Sequence, residues 1–345
     1  MAVALVAPLS GPLGLAGPSS LNCALLAVEE LNAADGIHGR PVELVLVDGG
    51  RGPDEVADSV RELVTAGRID AVVGMHTSAV RTAVVDVVTG QVPYVYTPPY
   101  EGGERSAGVF LCGETPTGQL RPAISWLVRQ RRARRWALLG NDYIWPRQVH
   151  RAARGFLSEV GATVVAERYL PFGVDDFASC LSRLEADAPD ALLLSLVGDD
   201  LARFHQQLAA SPLAHRVIRL SASLEENILL AMGGDNSGKL FATMGYFGAL
   251  QTDANLAFAE RYEARFGAEG PVLNVYGESC YEGLNLLSAL AQRSLTLHPI
   301  DLSAASEGAS FQGARGKLTV HRRHVAQTAH LAVAEGLQFR IVTSF

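Results

Sequence analysis

Short apolar, β-branched runs alternate along the chain with longer stretches in which apolar residues recur every three or four positions, and Gly, Pro or Asp separates each pair. Val3 to Val6 reads as a strand of the first kind. Ser20 to Leu31 reads as a helix with Ala24, Leu25, Ala27, Val28 and Leu31 on its apolar face; Gly36, Gly39 and Pro41 end it and turn the chain into a strand from Val42 to Val47. The pattern continues with a helix from Asp54 to Ala66, a strand over Ala71 to Val73, a helix from Ser78 to Val88 and a strand over Tyr94 to Tyr96. Alternation of this kind predicts a parallel α/β sheet.

After Gly113 the alternation starts afresh. Trp136 to Leu139, Ala162 to Tyr169, Ala191 to Leu196 and Val217 to Leu220 are strand candidates, interleaved with helices near 146–159, 176–186, 199–209 and 224–231. Leu240 to Phe247 reads as a return crossing. Helices near 252–266 and 276–293 follow, and the tail is β-rich over Lys317 to Val320, Ala329 to Val333 and Phe339 to Thr343. The expected fold class is α/β, with two Rossmann-like lobes on parallel central sheets joined by several strands of crossing chain. The expected lobes are 1–116 with 248–325, and 117–247 with 326–345. A cleft at such a junction is where small ligands bind and where hinge closure buries them.

Composition changes this picture little. A chain of 345 residues, 48% of them hydrophobic and 19% charged, fits about two domains and folds without staples. Cys23, Cys112, Cys180 and Cys280 lie far apart with no metal-like spacing, and read as buried thiols. A net charge of -7 argues against general affinity for nucleic acid or anionic membranes. The basic run Arg129, Arg131, Arg132, Arg134 and Arg135 reads as a solvated helix end that complements the helix dipole. No stretch approaches the roughly 18 apolar residues that span a bilayer. Met1 leads straight into Ala2 to Ala7 with no basic leader, so the expected location is cytoplasmic as written, or extracytoplasmic if a leader has been removed.

Several segments carry a resemblance. Pro8-Leu-Ser-Gly11 and the stretch ALLAVEELNAADGIHGRPVELVLVD ending at Asp48 resemble the opening of branched-chain amino-acid-binding proteins, members of the type I periplasmic-binding fold. Val73-Gly-Met-His-Thr-Ser78, Tyr96-Thr-Pro-Pro-Tyr-Glu-Gly102 and Gly140-Asn-Asp-Tyr-Ile-Trp-Pro-Arg147 resemble the amide- and urea-binding branch, which includes the amide-binding regulator of the aliphatic amidase operon. The resemblance implies a non-catalytic protein that binds a small polar ligand (amide, urea or amino acid) and signals occupancy by closure. It implies no cofactor. Its partners would be the membrane subunits of an ABC importer or an antiterminator-type regulator, with self-association left open.

The site residues follow from this placement. Ser78 begins a helix just after a strand, where its hydroxyl and the free N–H groups of the first turn face a polar ligand or simply cap the helix. His76 takes a position that is aromatic in the amide-binding relative. Tyr96 and Thr97 end the fourth strand, at the carboxyl edge where ligands of parallel sheets sit. That relative has its binding threonine one residue later, where this chain has Pro98. Tyr143 and Trp145 offer flat aromatic walls. Glu225 or Glu226 lies where amino-acid binders hold a carboxylate against the ligand's ammonium group, and Tyr246 and Glu278 are lesser candidates.

One rival comes from another class. Gly11-Pro-Leu-Gly14-Leu-Ala-Gly17 between a strand and a helix, with Asp48 at the end of the next strand, suggests an NAD-dependent enzyme. The glycine spacing is wrong, Pro12 stiffens the turn, and the offset to Asp48 exceeds the usual value of about 20 residues. Hydrolase signatures are absent, since there is no G-x-S-x-G elbow and the nine histidines are scattered.

Overall fold

A computed structural model describes every residue from Met1 to Phe345. The chain divides into two compact units, Met1–Gly113 with Leu250–Gln327 and Glu114–Ala249 with Thr328–Phe345, so it passes from one to the other three times. The first unit opens with β1 (Ala2–Ala7), α1 (Gly17–Ala33), β2 (Glu43–Asp48), α2 (Pro53–Thr65), β3 (Ala71–Gly74), α3 (Ser78–Val88), β4 (Tyr94–Tyr96) and β5 (Val109–Leu111). The second holds α4 (Pro116–Arg131), β6 (Arg135–Asn141), α5 (Ile144–Glu159), β7 (Thr163–Leu170), α6 (Ala178–Asp187), β8 (Ala191–Ser195), α7 (Gly198–Ala209), β9 (Ile218–Ser221), α8 (Glu226–Ala231) and β10 (Leu240–Met244). The chain then returns to the first unit for α9 (Asp253–Phe266), α10 (Val275–Ala291), α11 (Pro299–Ala305), β11 (Ser310–Gly313), β12 (Gly316–His321) and β13 (His324–Ala326). It ends in the second with β14 (His330–Glu335) and β15 (Gln338–Ser344).

Both sheets are mixed rather than purely parallel. The first runs β11-β12-β13-β5-β4-β3-β1-β2, with an antiparallel corner at β11 to β13. The second runs β15-β14-β10-β9-β8-β6-β7, and the tail strands β14 and β15 add to it antiparallel. Leu240 to Met244 is therefore a strand, bonded to β9 and β14, and the crossing comes after it. In the central strands apolar side chains point both ways because helices cover both faces. Ala4, Val6, Val72, Tyr94 and Tyr96 pack with Val56 and Val60 of α2 and Val80, Val84 and Val88 of α3. On the other face lies α10, nearly all of it buried. Gly283 makes that approach possible, since a Cβ there would sit 2.6 Å from the Thr97 methyl and 3.0 Å from Val73.

Burying α10 also buries Glu278 and Glu282, and Arg315 answers both carboxylates, bonding Glu282 and lying 3.4 Å from Glu278. Glu278, a lesser binding candidate, thus stands in the packed interior of the first unit. All four cysteines are buried thiols. The basic run of the second unit is partly consumed inside it. Arg134 donates to the carbonyls of Val160 and Gly161 where α5 ends, and Arg135 to those of Asp187 and Ala188 where α6 ends. These are the acceptors a helix terminus leaves without partners. No helix is long and apolar enough to cross a membrane.

Candidate functional site

Each unit places candidate residues at the carboxyl ends of its parallel strands. In the first, strand order reverses between β1 and β3, so the loops after those strands diverge and leave a crevice. The loop after β1 is fixed by Asp48. Its carboxylate accepts from the N–H groups of Leu9, Ser10 and Gly50 at 3.0 to 3.2 Å and from the Ser10 hydroxyl at 2.7 Å. Partial burial works against the charge, but these donors outweigh it and hold the carboxyl below its ordinary range. Asp48 is thus a loop anchor, with its oxygens engaged where a ribose-binding acid would need them free.

The end of β3 corrects one expectation. Thr77, not Ser78, caps α3, its hydroxyl accepting from Val80 N–H at 3.4 Å. Ser78 occupies the first helical position, buried, with the Tyr96 hydroxyl beside its own. The Tyr96 hydroxyl donates to the His76 carbonyl at 2.8 Å. His76 itself is packed inside. Nε2 meets the Tyr94 hydroxyl at 2.9 Å, Nδ1 meets the Thr77 carbonyl at 3.1 Å, and a Cβ on Gly74 would lie 2.5 Å from Nε2. Burial, with Arg81 nearby, lowers its pKa to about 4, so the ring is neutral and both nitrogens are used within the unit. Thr97 is likewise engaged, donating to Gly74 O at 3.3 Å and accepting from the Ser279 hydroxyl at 3.0 Å.

One turn along α3 from Ser78, Arg81 is buried between Glu101, at 2.5 Å, and Glu104, with the rings of Tyr96 and Tyr100 within 6 Å of its guanidinium carbon. Tyr100 in turn meets His324 Nδ1 at 2.6 Å. The Tyr-Glu-Gly segment is therefore built into the first unit, through contacts that span more than 200 residues of sequence.

In the second unit the order reverses between β6 and β8. Tyr143 follows β6 at the start of α5, part-buried, with Trp145 stacked 6.4 Å away and buried. Sequence reasoning missed the third ring. Phe172, just past β7, lies 5.2 Å from Tyr143 and is 38% exposed. An aromatic residue next to Gly173 at a strand's end was the available signal.

Glu225 caps α8, its carboxylate accepting from Asn227 N–H at 2.8 Å and Ile228 N–H at 3.1 Å. Burial raises its pKa to about 7 despite those bonds. Glu226 accepts from Gly248 N–H at 2.8 Å through Oε1, while Oε2 is buried with no partner. Burial and the neighbouring Glu225 push its pKa up to about 8, and no cation of its own unit answers it. Tyr246 follows β10 and is fully buried.

A family model described as periplasmic binding protein matches residues 1–337. The chain belongs to this family. Its relatives include the Leu/Ile/Val-binding protein BraC3 of Rhizobium johnstonii, 24% identical over 327 residues, which cover 92% of this chain and 86% of BraC3. A Leu/Ile/Val-binding protein homolog of Brucella melitensis is 24% identical over 245 residues, covering 69% of this chain and 66% of the homolog. Among solved structures, an ABC transporter solute-binding protein of R. palustris in complex with 4-hydroxybenzoate has a TM-score of 0.87 at 19% identity, covering all of this chain and 96% of that one. The substrate-binding protein LivJ of Streptococcus pneumoniae, in complex with isoleucine, has a TM-score of 0.85 at 19% identity, with 100% and 98% coverage. The periplasmic binding protein described here thus shares the two-lobed α/β type I fold of these structures.

Proposed function

We propose that this periplasmic binding protein captures a small amino acid or aromatic acid and presents it to the membrane subunits of an ABC importer. The family match carries the reading, and a buried carboxylate oxygen without a partner, Glu226 Oε2, supports it. A buried polar atom left unpaired costs about 1–3 kcal/mol, a cost that a bound ligand removes. Ser78 and the free N–H groups at the start of α3 suit a carboxylate, with the helix dipole adding to the attraction. Glu226 suits an ammonium group, and Tyr143 and Trp145 an apolar or planar side group. His76 and Thr97, whose polar atoms are engaged inside the first unit, shape the wall rather than bind, as does Tyr96. No residue set in either unit proposes a reaction.

Amides or urea as ligand, with an antiterminator-type regulator as responder, form the lesser reading. It rests on Tyr100-Glu-Gly and Asp142-Tyr-Ile-Trp-Pro-Arg. In those segments Glu101 holds Arg81, Tyr100 holds His324 and Arg147 holds Asp142, so the residues have work within their units whatever the ligand is. Calorimetric titration with isoleucine, phenylalanine, 4-hydroxybenzoate, acetamide and urea tests both. Binding of at least one of the three acids, weakened by more than about 1 kcal/mol in Ser78→Ala, is the expected result. Acetamide or urea outranking every acid reverses the order of the readings, and binding of none removes both.

A further inference from the structure

An exposed phenylalanine in a surface loop is ordinarily free to move. At Phe172 the backbone on either side is tied to a buried polar pair. Asn141, at the end of β6, donates through Nδ2 to the Pro171 carbonyl at 3.4 Å and to Asp200 Oδ2 at 2.7 Å, and accepts from Val197 N–H at 2.9 Å. Asp200, in the first turn of α7, accepts from Gly173 N–H with both oxygens at 3.1 Å. Both side chains are buried, at 0% and 2% exposure, so water does not compete for these bonds. The pair sits at the reversal between β6 and β8 and fastens the loops after β6, β7 and β8 to one another. A ring held this way, tilted 36° against Tyr143 and left part-exposed at the carboxyl edge of a parallel sheet, is a preorganised apolar contact surface.

Resting on the reading above, we infer that Phe172 is a specificity-determining residue that favours ligands bearing a planar ring, and that Asp200 is its positioning residue. A flat face beside a second aromatic ring rewards stacking, which a branched aliphatic side chain cannot return in full. Asp200 touches no ligand in this account. It sets where the Phe172 ring stands.

Calorimetric titration of phenylalanine, 4-hydroxybenzoate and isoleucine into the wild-type chain, Phe172→Ala, Phe172→Tyr and Asp200→Asn tests the inference. Phe172→Ala is expected to lose at least about tenfold more affinity for the ring-bearing probes than for isoleucine, equivalent to about 1.4 kcal/mol. Phe172→Tyr restores the preference, and Asp200→Asn reduces it in the same direction. Equal losses for ring-bearing and aliphatic probes in Phe172→Ala overturn the inference, and so does a wild-type chain that binds isoleucine and neither ring-bearing probe; both results leave the binding reading standing. A wild-type chain that binds none of the three overturns both. Asp200→Asn with the wild-type preference removes the positioning role. The Phe172 variants alter a part-exposed side chain, so the specificity assignment is tested whatever Asp200→Asn does to folding.

Discussion

Arg81 and His76 show how single residues near the carboxyl ends of the first unit's strands hold that unit together. Arg81 neutralises two carboxylates in the interior, so Arg81→Met leaves Glu101 and Glu104 buried without a cation and is expected to cost about 3–5 kcal/mol in chemical denaturation. A variant within about 1 kcal/mol of wild type would show the carboxylates reaching water. Tyr94→Phe removes the partner of His76 Nε2 and is expected to cost about 1–3 kcal/mol. Neither role was legible in the sequence. His76 stood in a ligand-like position, but the tyrosine that engages it is 18 residues away, and Arg81 looked like any cation on an amphipathic helix. The start of α3 was legible from the sequence, but which of Thr77 and Ser78 caps it depends on backbone angles that no pattern encodes.

At the scale of the element, the start of α8 makes the sharpest pH prediction. Glu225 and Glu226 have folded values near 7 and 8, above the ordinary 4.5, so the folded state keeps protons the unfolded chain has released. Their contribution to stability is fully present below about 4.5 and is lost as pH rises through 7 to 8. Glu226→Gln is therefore expected to flatten the fall in thermal midpoint between pH 6.5 and 8.5; an unchanged slope would show the carboxylate is not buried as described. Ligand chemistry follows the same proton. An ammonium-bearing ligand needs Glu226 ionised, so isoleucine affinity is expected to rise with pH up to about 8, whereas an acid without an amine gains nothing from that ionisation. Titrations at pH 6 and 8 separate the two.

For the whole molecule, alternation of apolar runs with amphipathic stretches was enough to give two α/β lobes, because parallel strands and their covering helices each write their own period into the sequence. What it could not give was the antiparallel edges. β11 and β13 are short and half polar, and β14 joins β10 across nearly the whole return excursion. Leu240 to Phe247 looked like a crossing because a buried strand and a buried linker share the same apolar composition. Acid stability is also set at this scale. Burial lowers His76 and His150 to about 4 and His205 to about 3, below the ordinary 6.5, so their contribution is present above 6.5 and lost as pH falls through 4 to 3. His205→Leu, which removes a buried ring with no hydrogen-bond partner, is expected to make that loss shallower in thermal scans from pH 7 to 4.

Binding of one small acid at the carboxyl ends of the parallel strands is tested most directly by a crystal structure of the chain with the tightest-binding acid of the titration panel. The ligand's carboxylate is expected within hydrogen-bond distance of Ser78 Oγ. A ligand whose carboxylate is seated elsewhere would contradict this placement.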